Sequence, residues 1–151
     1  VVKSVETSKE WPENLGVGKP YDNMIDNRLE DYLEAKAAAG QGDSRKTSAL
    51  LAAVADYTIS RSHFESGNLL SALALRESGK VQEADHMVAA WSTDFPENRV
   101  VQWCTAIYRG EKEKAVGMLQ SRNDQTNTTP WEASFRDSNF DLIVRLFSTE
   151  Q

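Results

Sequence analysis

The chain has 151 residues, 40% of them hydrophobic, which fits one globular domain with a sizeable core. Its net charge of −6 argues against nonspecific nucleic-acid binding, which depends on clustered lysine and arginine. No apolar run approaches the roughly 20 residues that span a bilayer, so we expect no membrane insertion.

The single cysteine, Cys104, excludes an internal disulfide and a cysteine-based zinc cluster. A single cysteine is compatible with a cytoplasmic location. The start Val1-Val2-Lys3 lacks methionine and the layout of a signal peptide, so we expect a fragment of a longer protein.

Hairpin 1, residues 22–59, follows an irregular lead-in at residues 1–21, where proline and glycine interrupt any periodicity. Its first helix is expected to start near residues 22–23 and to stop at the glycines of residues 40–42. Its second helix is expected to be capped at residues 43–44. Apolar spacing predicts that this helix buries a stripe of three residues, Leu50, Val54 and Tyr57.

Hairpin 2, residues 63–96, is the most regular part of the pattern. Its first helix, near residues 64–77, is apolar over a wide arc, which indicates an interior element with neighbours on both sides. A turn at Ser78-Gly79-Lys80 leads to a second helix near residues 80–93. Pro96 closes the unit because proline cannot continue a helix.

Hairpin 3, residues 98–121, is expected to start at Asn98, a good helix cap, and to turn at Gly110. A polar, turn-rich loop at residues 121–130 leads to a capping helix within residues 130–148. Four residues of that helix share one apolar face: Phe140, Ile143, Val144 and Phe147. No segment alternates with the period of a strand over any length, so no sheet is predicted.

Two of these turns repeat each other, because Gly110 lies 31 residues after Gly79, and Ala115 lies 31 residues after Ala84. A helical hairpin needs glycine at its turn and a small residue where its helices come closest, and hairpins stack to bury their apolar faces. Six residues stand at the spacings of a ~34-residue motif: Ala72, Leu75, Gly79, Glu83, Ala84 and Pro96. On these residues the chain resembles the tetratricopeptide repeat (TPR) family. The resemblance covers about residues 64–119, and hairpin 1 departs from it.

The resemblance implies an all-α fold of about seven helices, arranged as antiparallel hairpins in a right-handed superhelix over a single domain, residues 1–151. In such stacks the first helix of each hairpin lines a concave groove that binds a peptide or another protein. Six residues are expected in that groove: Leu69, Leu73, Arg76, Gln102, Tyr108 and Arg109. The arginines would pair with peptide carboxylates. Alternatively, the leucines contact the neighbouring hairpin and both arginines are solvated.

One form of the family clamps carboxylates with lysine and asparagine in its groove. In hairpin 2, leucines stand at the groove positions where that form of the family has lysine and asparagine. This difference argues against binding of acidic chaperone tails.

No motif predicts a catalytic residue, a metal ion or a cofactor. Gly16-Val17-Gly18-Lys19 lacks the Ser or Thr, the strand and the helix of a phosphate loop. Glu83-Ala84-Asp85-His86 has the Glu-x-x-His spacing of di-iron bundles but no second copy. His63-Phe64-Glu65 lacks the Pro-Cys-x-x-Cys half of a zinc deaminase site.

The leading hypothesis is therefore a noncatalytic scaffold that binds a protein, a peptide or another part of its parent protein. The second hypothesis is a helical accessory domain that supports a carbohydrate-active or other enzymatic region upstream of Val1. It draws on residues 11–22, which resemble the helical tail of large bacterial proteins in which a β-rich region precedes TPR-like repeats.

Overall fold

The computed structural model describes residues 25–59, 64–123, 137 and 139–149. Within these ranges the chain forms seven α-helices and no strand, which confirms the all-α fold class. The helices are α1 (Arg28–Gly40), α2 (Ser44–Ile59), α3 (Gly67–Glu77), α4 (Val81–Asp94), α5 (Arg99–Arg109), α6 (Lys112–Asn123) and α7 (Phe140–Thr149). None of these helices combines the length and the apolar character needed to cross a membrane.

The first six helices pack as three successive hairpins. α1 packs against α2, α3 against α4, and α5 against α6. Between hairpins, α2 contacts α3, α4 contacts α5, and the first helices contact one another in the order α1, α3, α5. Every residue of α3 from Gly67 to Leu75 is buried. The wide apolar arc of this helix is thus explained, because four other helices surround it.

The three hairpins turn in the same way. Gly42, Gly79 and Gly110 have φ of 78°, 82° and 75°, a left-handed conformation that glycine adopts without steric cost. In each turn the residue after the glycine donates its N–H to a carbonyl in the last turn of the helix: Asp43 to Ala38 (3.0 Å), Lys80 to Leu75 (2.9 Å) and Glu111 to Ala106 (2.9 Å). This is the Schellman arrangement that terminates many helices. The predicted elbows at Gly79 and Gly110 are confirmed.

The small residues predicted at the helix contacts of hairpins 2 and 3 are buried. Ala84 and Ala115, the alanines of the 31-residue repeat, are both buried. The Asn98 side chain accepts hydrogen bonds from the N–H groups of Val100 and Val101, so the predicted cap of α5 is confirmed. The ring of Phe140 in α7 packs edge-on against Trp103 of α5, with centroids 5.4 Å apart, and seats α7 on hairpin 3.

Two predictions for hairpin 1 need correction. α1 begins at Arg28, whereas the caps proposed for it, Asp22 and Asn23, lie outside the described residues. The buried stripe of α2 is shifted by one position from the predicted one. It consists of Leu51, Val54, Ala55 and Thr58, while Leu50 and Tyr57 are only half-buried. Of the loop predicted at residues 121–130, residues 121–123 belong to α6, and the rest lies outside the described ranges, as does the lead-in at residues 1–21.

Candidate peptide-binding cleft

An open cleft of about 340 Å³ lies where the C-terminal ends of α3 and α5 meet α6 and α7. We term it the elbow cleft, because the turn glycine of hairpin 3 belongs to its wall. Its lining residues come from four helices and one turn: Leu73, Arg76, Trp103, Ile107, Tyr108, Arg109, Gly110, Lys112, Ala115, Val116, Leu119, Phe147 and Ser148.

The inner part of the cleft is apolar. Leu73, Trp103 and Ala115 are buried, and Leu119 and Phe147 are half-buried members that pack on the core. Such a surface can hold one large apolar side chain of a ligand, because burying it there removes apolar area from water.

The rim of the cleft is cationic. Arg76, Arg109 and Lys112 line it, and no carboxylate occurs among its described lining residues. Arg76 is fixed in place: its Nη1 donates to the carbonyl of Tyr108 at 2.8 Å, and its guanidinium carbon lies 4.8 Å from the centre of the Tyr108 ring. Arg109 and Lys112 are exposed and form no ion pair with any residue of the described ranges.

Tyr108 ties the cleft to hairpin 2. Its hydroxyl donates to the carboxylate of Asp85 in α4 at 2.8 Å. Burial, together with this hydrogen bond and the charge of Asp85, raises the pKa of Tyr108 to about 12. The hydroxyl therefore stays protonated at neutral pH and serves as a fixed donor to Asp85.

The structure brings four of the six predicted groove residues together in the elbow cleft: Leu73, Arg76, Tyr108 and Arg109. Leu69 is fully buried in the core and does not line the cleft. Gln102 lies outside the cleft as well, where its Nε2 donates to the carbonyl of Pro96 at 2.7 Å. That any of these residues contacts a ligand stays a prediction.

Sequence reasoning missed the half of the cleft that α6 and α7 contribute. Lys112, Val116 and Phe147 were not proposed as ligand contacts, because the resemblance assigned the groove to the first helices alone. The signal for Lys112 was available, since it lies two residues after Gly110, in the turn that the repeat had already located.

A second polar cluster lies between hairpins 1 and 2, around the buried Arg28. Its guanidinium donates to Asp26 (2.8 and 2.9 Å) and Glu65 (2.7 Å), and to Thr58 and Asn68 (both 2.7 Å). These bonds and the 2% exposure of the side chain leave no room for a ligand. The cluster joins α1, α2 and α3 and is structural.

The remaining chemical groups give no site. Burial raises the pKa of the Cys104 thiol, and the charge of Asp137 adds to this effect, so the thiol is unreactive. Glu83 and His86 are exposed, and no cluster of metal-ligating side chains occurs in the described ranges. Gly16–Lys19 and His63 lie outside them.

Comparison of the chain with family models, with curated proteins and with solved structures gives no match. The TPR likeness therefore remains a resemblance, and a functional argument has to be built from the geometry of the elbow cleft.

Proposed function

We propose that the chain is a noncatalytic binding module of TPR-like architecture that holds a peptide segment of a partner protein in the elbow cleft. One observation carries the proposal. The cleft combines an apolar interior with a polar rim, and its volume of about 340 Å³ lies in the range typical of ligand pockets.

The chemistry of the lining supports binding without catalysis. Its described residues include no carboxylate, imidazole or thiol. The two nucleophile types present, the Ser148 hydroxyl and the Lys112 ammonium, therefore have no general base in the described lining to activate them. The Tyr108 hydroxyl, with a pKa of about 12, is poorly matched to proton transfer near neutral pH. The hypothesis of an accessory domain beside an enzymatic region stays a prediction, and no contact in the described ranges favours it.

A random peptide library displayed on phage tests the proposal. Peptides selected on the unmodified chain would be measured against Val116→Trp, which places a large ring on a residue of the cleft wall that is 39% exposed. The matched control is Val81→Trp, because Val81 is similarly exposed at 45% and lies outside the cleft.

We expect the selected peptides to bind Val116→Trp at least about tenfold more weakly, equivalent to about 1.4 kcal/mol, and to bind Val81→Trp unchanged. Equal binding to both variants, or no enrichment of any peptide, would contradict the proposal.

A further inference from the structure

We infer that the elbow cleft selects an acidic peptide segment that carries one large apolar side chain. The cations concerned line the elbow cleft and are not the lysine and asparagine clamp whose positions leucines hold in hairpin 2. This inference deepens the binding function proposed above and rests on it. Acidic side chains of the segment would pair with the cationic rim, and its apolar side chain would enter the interior between α5, α6 and α7.

The first argument is the local reversal of charge. The whole chain carries a net charge of −6, yet the cleft is lined by three cations and, among its described residues, by no carboxylate. At ionic strengths near 0.1 M, exposed charges interact over about 10 Å. The cations that line the cleft therefore act on a ligand there more strongly than charges on distant parts of the chain do.

The second argument is that two nearby carboxylates are held by side chains other than the cations of the rim. Asp85 accepts the hydrogen bond of Tyr108, and Glu111 accepts one from Lys114 at 2.9 Å. The pKa of Glu111 is lowered by this bond and by the charges of Lys114 and Arg109, so it stays ionised at neutral pH. Neither carboxylate lines the cleft, and neither forms an ion pair with Arg109 or Lys112 in the described part of the chain.

The third argument is the way in which the cations of the rim are held. Arg76 is held by a carbonyl and a ring rather than by a carboxylate, so its charge is not neutralised by that contact. Arg109 and Lys112 flank the turn at Gly110, which is closed by the hydrogen bond from the Glu111 N–H to the Ala106 carbonyl. A guanidinium can bind a carboxylate through two parallel hydrogen bonds, and an ammonium acts as a point charge beside it.

The overall charge favours a peptide over a nucleic acid as the occupant. Nonspecific nucleic-acid binding needs many phosphate contacts from a broad basic surface, whereas the cleft offers three cations on an acidic chain. One apolar anchor and two or three acidic side chains match a short peptide segment.

Four octapeptides, acetylated and amidated so that every carboxylate is a side chain, form the test. The first contains four Glu and one Phe. The second replaces Phe by Ala, the third replaces each Glu by Gln, and the fourth replaces each Glu by Lys. Binding to the full chain would be measured by fluorescence anisotropy, and the site would be mapped by amide chemical shifts.

The double variant Arg109→Gln, Lys112→Gln removes two of the three cations of the rim and leaves Arg76, which contacts Tyr108, in place. Its matched control is Arg45→Gln, Lys80→Gln, which changes net charge by the same amount at two exposed positions outside the cleft. We expect the Glu/Phe peptide to bind at least tenfold more tightly than the other three, and to lose at least tenfold in affinity in the cleft variant only.

The other outcomes separate the two proposals. If the Gln/Phe peptide binds in the cleft as tightly as the Glu/Phe peptide, the acidic selectivity is wrong while the peptide-binding function stands. If none of the four peptides shifts amides of the cleft, the acidic selectivity is overturned, and the phage selection decides the binding function on its own. Displacement of the Glu/Phe peptide by an equal concentration of oligothymidylate would also overturn it, because the site would then be a general anion site.

Discussion

The packing of Gly67 against Arg28 predicts a large effect from adding one methyl group. A Cβ built on Gly67 would lie 2.6 Å from both Cζ and Nη2 of Arg28 and 2.8 Å from its Nε. To reach the 3.4 Å of ordinary contact, the guanidinium must retreat by at least 3.4 − 2.6 = 0.8 Å. The tip of an arginine is usually flexible, but this one is buried and bonded to four side chains.

The size of the effect follows from those bonds. Hydrogen bonds to charged groups contribute about 1.5–3 kcal/mol each, and a retreat of 0.8 Å would weaken one or two of them. Alanine in place of a helical glycine normally stabilises by about 0.5–1 kcal/mol, which offsets part of the loss. We therefore expect Gly67→Ala to lower the free energy of unfolding by about 1–3 kcal/mol.

A double-mutant cycle with Arg28→Met tests the reasoning by urea denaturation. Without the guanidinium the added methyl has space, so Gly67→Ala should become neutral or stabilising by up to about 1 kcal/mol. Gly117→Ala is the control, because Gly117 also lies in a helix but its Cβ would meet nothing within 4 Å. It should stabilise by about 0.5–1 kcal/mol.

The reasoning would be refuted by a coupling energy near zero between Gly67→Ala and Arg28→Met. It would equally be refuted if Gly67→Ala stabilised the chain as much as Gly117→Ala does.

Two further predictions concern hairpins 2 and 3. Ala84→Leu should lower the free energy of unfolding by ~1–3 kcal/mol through overpacking between α3 and α4. The control Ala90→Leu, at an exposed position of the same helix, should change the free energy of unfolding by less than about 0.5 kcal/mol. Urea denaturation of both variants would show whether Ala84 lies at the helix contact. For Tyr108, the folded-state pKa of about 12 exceeds the unfolded value of about 10, so its contribution to stability is complete below pH 10 and is lost as pH rises towards 12. The difference in unfolding free energy between the unmodified chain and Tyr108→Phe should therefore shrink between pH 10 and pH 12, and a constant difference over that range would argue against the shifted pKa.

The hairpins could be predicted from the sequence because their signals are local. A left-handed turn favours glycine, and a close helix contact favours a small residue, so Gly79, Ala84, Gly110 and Ala115 identified both turns and the packing beside them. The cap at Asn98 is equally local, since its side chain bonds to N–H groups two and three residues away.

Features that depend on several helices were missed. The burial of Arg28 could not be predicted because only one of its partners, Asp26, is near it in the sequence. The other partners, Thr58, Glu65 and Asn68, stand far along the chain. The stripe of α2 was shifted by one position, because Leu50 and Leu51 are adjacent and only the position of α1 and α3 decides which of them is buried. The wall that α6 and α7 add to the elbow cleft depends on tertiary packing in the same way.

Arg76 connects the stacking of the hairpins to the charge of the elbow cleft. The last carbonyls of α5 need hydrogen-bond donors from outside the helix. The carbonyls of Ala106 and Ile107 accept from the N–H groups of Glu111 and Gly110, and the carbonyl of Tyr108 accepts from Arg76 of the neighbouring hairpin. The contact that terminates α5 therefore also places one cation of the rim. Loss of Arg76 would weaken packing and binding together, and a loss of affinity in such a variant would be ambiguous. Arg109 and Lys112 form no ion pair in the described ranges, and the one further effect of their charge is that Arg109 helps to lower the pKa of the neighbouring Glu111. Their removal therefore reports on the charge of the cleft more directly than loss of Arg76 does.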